Sequence, residues 1–93
     1  MIPLDARPRL APKARLRFDK KTKQYVLLYP EKGLLLNRTG SSILLQCTGD
    51  NTVQLIIDRL GAEHDAGAPD VIGAEVLSFL GSLIDRGLVQ VDP

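Results

Sequence analysis

The chain is 93 residues long, 44% hydrophobic and 25% charged, a length and balance that suit one domain with a single core. With two Phe, two Tyr and no Trp, that core must be aliphatic, and stacking platforms for bases or sugars are not expected. No apolar run exceeds the short Tyr25–Tyr29 stretch, far below the ~20 residues that cross a bilayer. Asp5 and the prolines at 3, 8 and 12 stand where a secretory signal needs an apolar stretch, and the lone Cys47 has no partner for an internal disulfide. The expected location is therefore the reducing cytoplasm.

The net charge of +1 hides an uneven distribution. Residues 1–24 hold eight Lys or Arg against Asp5 and Asp19, a balance of +6, and the remainder carries −5. Such an asymmetry is either a solvated basic segment or a surface that steers an acidic partner.

Pro3, Pro8 and Pro12 each remove a backbone donor, so residues 1–13 are expected to form a flexible, irregular arm ahead of a single domain at 14–93. Alternation in Arg15-Leu16-Arg17-Phe18 predicts a half-buried strand. The polar loop Asp19–Gln24 leads to a second strand at Tyr25–Tyr29. Pro30 ends it, Gly33 is expected to turn the chain, and a third strand follows at Leu34–Leu36. Three strands in meander order leave two open edges, one of them the third strand.

The period then becomes helical. Thr39 is the expected cap of a short first helix through Ile43, Leu44 and Cys47, closed by Gly49. Asn51 or Thr52 caps a second helix to about Glu63, with Val53, Ile56, Ile57 and Leu60 as its apolar stripe and Gly61 as an early stop. After an Ala66–Pro69 linker, Asp70 is expected to cap a third helix ending at Gly87. Its apolar positions Val76, Leu77, Phe79, Leu80, Leu83 and Ile84 cover more than one face, so part of that sector serves a second packing side or a partner. Leu88–Val91 reads as a terminal strand.

Catalytic chemistry finds little material. One His and one Cys do not assemble a structural zinc site; Cys47 lies on an apolar stripe as a core thiol, and His64 reads as a surface residue near a helix end. Gly33, Gly40 and Gly49 do not match phosphate-cradling glycine patterns. The carboxylates are scattered on polar faces, so neither an enzyme nor a cofactor is expected. Three helices and a small sheet also fit a DNA-binding winged-helix regulator, the alternative function. Its recognition helix, however, would carry Asp70, Glu75 and Asp85 against Arg86 alone, a poor match to a polyanion.

Several segments in order resemble the PqqD family of pyrroloquinoline quinone biosynthesis: Arg7-Pro8, Arg15–Asp19, Leu27-Leu28-Tyr29-Pro30-Glu31-Lys32 leading to Leu35-Leu36-Asn37, Ile43-Leu44 with Cys47 and Gly49, and Phe79-Leu80 with Leu83 and Arg86-Gly87-Leu88-Val89. The likeness spans about residues 7–91. One departure is Thr48, which stands between the cysteine and the glycine where the family usually has Asp-Gly, the acid here falling at Asp50.

The resemblance implies an α+β fold like a winged helix-turn-helix, a three-stranded antiparallel sheet followed by three helices. It also implies a non-catalytic peptide chaperone, a RiPP recognition element. Such a protein binds the precursor peptide PqqA by strand addition and presents it to the radical S-adenosylmethionine enzyme PqqE, with no cofactor of its own. The residues expected to bind the peptide are Gly33, Leu34, Leu35, Leu36 and Asn37 on the third strand and Val76, Leu77, Leu80 and Ile84 on the third helix. Leu35 is the leucine expected on the ligand side. The open edge also admits a homodimer, and no nucleic acid or membrane partner is expected.

Overall fold

The computed structural model describes residues 2–30, 32–63 and 69–92. The elements in order are β1 (Arg7–Leu10), β2 (Arg15–Asp19), β3 (Gln24–Tyr29), β4 (Lys32–Leu35), α1 (Arg38–Leu45), α2 (Val53–Glu63), α3 (Pro69–Asp85) and β5 (Val89–Asp92). The expected α+β arrangement is present: β2, β3 and β4 form an antiparallel sheet in that order, and three helices follow. His64 and residues 66–68 of the expected linker lie outside the described residues.

The sheet follows from the alternation read in the sequence. Leu16 pairs with Leu27 and Leu27 with Leu34, so one leucine from each strand lies on the same face. Leu27 is fully buried there. The opposite face carries Arg15, Arg17, Val26, Leu28, Gly33 and Leu35 by the same register. The β2–β3 loop is held by Asp19, whose side chain accepts hydrogen bonds from the Lys21 N–H and the Thr22 hydroxyl.

Gly33 differs from its expected role, because it lies inside β4 and not in the hairpin turn. What it supplies is room: a Cβ at Gly33 would stand 3.2 Å from Val26 Cγ1 and 3.3 Å from Leu28 Cδ2. Tyr29 stands directly opposite Lys32 at the end of the β3–β4 ladder.

The N-terminal segment is the largest structural correction. In place of an irregular arm, Arg7–Leu10 pairs antiparallel with Val89–Asp92 as a second, two-stranded sheet. Pro8 is buried, and Gly49 N–H donates to its carbonyl at 3.0 Å. The carbonyls of Leu4 and Ala6 accept from Gln54 N–H and Val53 N–H, both at 2.9 Å, and so satisfy orphan donors at the start of α2. Prolines remove donors but keep their carbonyls, and this segment works largely through carbonyls.

The helix ends also resolve differently in detail. Asn37, and not Thr39, caps α1: its Oδ1 accepts from Gly40 N–H at 2.7 Å. Gly49 falls beyond the actual C-cap, Gln46. Thr52 caps α2 by accepting from Leu55 N–H at 3.1 Å, while Asn51 donates to the Gln46 carbonyl. Gly61 does not stop α2, and Asp70 lies inside the first turn of α3. At the end of α3, Gly87 has φ +73°. Leu88 N–H donates to Leu83 O and Gly87 N–H to Ile84 O, both at 2.9 Å, a Schellman closure with Leu83 and Leu88 buried.

Gly81 within α3 and Gly87 just past its end should therefore respond oppositely to a methyl group. Gly87→Ala forces a left-handed residue to carry a Cβ and should lower stability by about 1–2 kcal/mol. Gly81→Ala adds a Cβ with nothing within 4 Å and should raise it by about 0.5–1 kcal/mol through helix propensity. Urea unfolding of the two variants checks both signs.

Candidate functional site

Strand order makes β3 central and leaves β2 and β4 as edges, with no partner on the outer side of either among the described residues. Leu36 N–H donates to Tyr25 O at 2.9 Å, which fixes the phase of the β4 ladder. In an antiparallel pair, backbone groups alternate between the neighbour and the free side. Lys32, Leu34 and Leu36 therefore turn theirs toward β3, while Gly33 and Leu35 turn theirs to the open edge.

Beside this edge runs a cleft of about 530 Å³ lined by Leu34, Leu35, Leu36, Asn37, Gly40, Glu75 and Phe79, among others. Leu34 is half-buried, Leu35 is 52% exposed and Leu36 only 3%. Leu36 is thus a core residue whose place in the cleft is marginal. The Asn37 carboxamide is engaged in capping α1. Phe79 leans on α1, where Gly40 makes room: a Cβ there would stand 3.2 Å from Phe79 Cζ.

The helical wall is not the one the sequence indicated. Val76 and Leu80 are fully buried at 0% exposure and face the core. At 100° per residue, Leu77 and Ile84 lie about opposite Glu75, on the flank where Gly73 approaches Ile57 of α2. Both are partly buried against the core. The cleft is walled instead by Glu75 and Phe79, a stripe that continues through Ser82 to Arg86 at spacings of three and four. Ranking by hydrophobicity selects the core-facing sector of a helix, and a flank mixing acid, aromatic and base escapes it. The i, i+4, i+7, i+11 spacing of Glu75, Phe79, Ser82 and Arg86 was the available signal.

Among the described residues, no cluster of three or more His, Cys, Asp and Glu is placed to hold a metal ion. Cys47 is buried in the core as expected, its Sγ donating to Ile43 O at 3.3 Å. Burial pushes its thiol up from 9.0 to about 12, so it is not poised as a nucleophile.

These features define a small winged-helix-like domain whose free strand edge lies beside a helix-walled cleft, a class suited to receiving an extended peptide. The chain belongs to the PqqD family: the model for Coenzyme PQQ synthesis protein D (PqqD) matches residues 24–89. It is 37% identical over 84 residues to a PqqA binding protein of Rhodopseudomonas palustris strain HaA2, covering 90% of this chain and 81% of that one. It is 36% identical over 83 residues to the bifunctional coenzyme PQQ synthesis protein C/D of Methylorubrum extorquens, covering 89% of this chain and 22% of the fusion. The fold matches the solution NMR structure of the PqqD truncation of Methylobacterium extorquens PqqCD with a TM-score of 0.78 and 34% identity, covering 97% of this chain and 95% of the other. That protein is described as a functional, stand-alone RiPP recognition element.

Two measurements check these placements. Leu80→Ala should cost about 2–5 kcal/mol of unfolding free energy as a core truncation, whereas exposed Glu75→Ala should stay within about 0.5 kcal/mol. Raising pH should deprotonate Cys47 in the unfolded chain before the folded one. Its contribution to stability is complete below about 9 and is lost progressively toward about 12; in Cys47→Ala that part of the alkaline decline should vanish.

Proposed function

We propose that this chain binds the PqqA precursor peptide as a strand added to β4 and presents it to PqqE, acting as a non-catalytic chaperone. The observation that carries the reading is the set of outward backbone groups at Gly33 and Leu35 beside the Phe79-walled cleft, in a chain whose relatives are named PqqA binding proteins. The β2 edge offers the same unpaired backbone, but the hollow beside it is lined by residues of β2, β3 and their loop alone, Arg17, Phe18, Lys20 and Leu28 among them, whereas the β4 cleft sets Leu34 against Phe79 of α3 as a wall for alternate side chains of a ligand.

Of the nine residues expected to bind the peptide, Gly33, Leu34 and Leu35 retain that role, with Asn37 at the rim. Glu75 and Phe79 replace Val76, Leu77, Leu80 and Ile84 as the helical wall. The open edge of β4 is also where a second copy would pair, so a dimer through β4 and the peptide complex exclude each other. A DNA-binding role is not favoured, because the exposed positions of α3 include Asp70, Glu75 and Asp85. We place the protein in the cytoplasm, where its lone buried thiol meets no oxidising demand.

Leu35→Pro tests the reading selectively. It removes an N–H that β3 does not use, and proline is tolerated on the free side of an edge strand. The fold should persist while a peptide carbonyl loses its donor, a cost of about 1–3 kcal/mol, or roughly 5- to 150-fold in Kd. Leu35→Ala, which keeps the donor, should bind more tightly than Leu35→Pro. Equal binding of PqqA peptide by wild type and a folded Leu35→Pro variant, measured by fluorescence anisotropy, would falsify strand addition at β4.

A further inference from the structure

At the far end of β4 from Asn37, a second hollow of about 540 Å³ is lined by Lys13, Tyr29, Pro30, Lys32, Arg86 and Leu88. Three cations reach it from three elements: the β1–β2 connection, the sheet and the end of α3. No hydrogen bond or ion pair ties their side chains to a partner among the described residues. Part of this charge has a structural use. Lys13 Nζ lies 3.3 Å from where a Cβ on Gly87 would stand, at the C-terminal end of α3, where a partial negative charge of about one half favours a cation. Half a charge does not offset three cations, and Lys32 stands on the sheet.

The hollow and the cleft already described share no lining residue, but strand register and helical period align them. Lys32 and Leu34 share one face of β4, two residues and roughly 7 Å apart. Arg86 lies eleven residues after Glu75, within about 20° of it around the helix. Since Glu75 and Phe79 sit beside Leu34–Asn37 and Arg86 sits beside Lys32, α3 runs antiparallel to β4. The two hollows therefore lie end to end between β4 and α3, with Glu75 at one end, Leu34 and Phe79 between, and three cations at the other end.

We propose that the cationic hollow takes a carboxylate of the peptide laid along β4, and that this contact sets the direction and register of docking. The proposal rests on the peptide-binding reading above. The ligand class it defines is an extended segment with an acidic residue two positions from an apolar one. When the acid meets Lys32, Arg86 and Lys13, the apolar side chain falls against Leu34 and Phe79. A peptide laid in the opposite direction brings the acid against Glu75, where like charges repel. The three cationic side chains are exposed, so the contact is salt-sensitive and moderate in strength.

The test measures binding of labelled synthetic PqqA peptide by anisotropy at low (~20 mM) and high (~300 mM) salt. It compares wild type with Lys13→Gln/Lys32→Gln/Arg86→Gln and with a control, Lys20→Gln/Lys21→Gln/Lys23→Gln, which removes equal charge from the β2–β3 loop. The cleft variant should bind about tenfold more weakly at low salt, with a flatter salt dependence, and the control should change less than about twofold. Converting the peptide's acids to amides one at a time should reveal one position that weakens wild type but not the cleft variant. If only amidation of the peptide's C-terminus does so, the carboxylate is the chain end and the hollow still reads it. Wild-type affinity in the cleft variant, or an equal loss in the control, overturns the inference while Leu35→Pro still reports on strand addition. Failure of wild type to bind the peptide at either salt concentration overturns both.

Discussion

The structure depends on one aliphatic cluster that joins the inner face of the three-stranded sheet to α3. Leu27 of β3 and Val76, Leu80 and Leu83 of α3 belong to the same buried cluster, and a cluster without polar members holds through area removed from water. Because the helix commits its central stripe to that cluster, it is held beside β4 without covering the strand's edge. The neighbouring stripe, Glu75 to Arg86, is left free to wall a groove. Burial thus fixes the geometry and leaves the outward backbone groups of Gly33 and Leu35 without a strand partner among the described residues.

The N-terminal segment reinforces that geometry from the opposite side. By pairing with β5 and accepting, through the Leu4 and Ala6 carbonyls, from N–H groups at the start of α2, it ties both ends of the chain to the helical layer. The Schellman closure at Gly87 then delivers the chain into β5. The same closure leaves room for Lys13 over the helix terminus, so a structural turn and a charged surface share one glycine.

Much of this was legible in the sequence, and the exceptions share physical causes. The alternation of Arg15–Phe18 and Tyr25–Tyr29, the stripe Val53-Ile56-Leu60 and the stop at Gly87 all appear in the structure because local period and burial agree there. The strand at Arg7–Leu10 was not legible, because its partner lies some eighty residues away and its prolines read locally as breakers. Asn37 was missed as a cap because it closes the strand sequence as naturally as it opens the helix. The cleft divides in the same way. Leu34 and Leu35, named from the strand, line it, while Val76 and Leu80 are taken by the core, because hydrophobicity marks what the core takes and not what it leaves.

Whether a peptide docks on β4 or on β2 is decided by NMR titration of the labelled protein with PqqA peptide. Docking on β4 shifts the amides of Gly33, Leu35, Asn37 and Phe79 and leaves Arg15, Arg17 and Val76 little affected. Shifts concentrated along Arg15–Phe18 with β4 unchanged would contradict it.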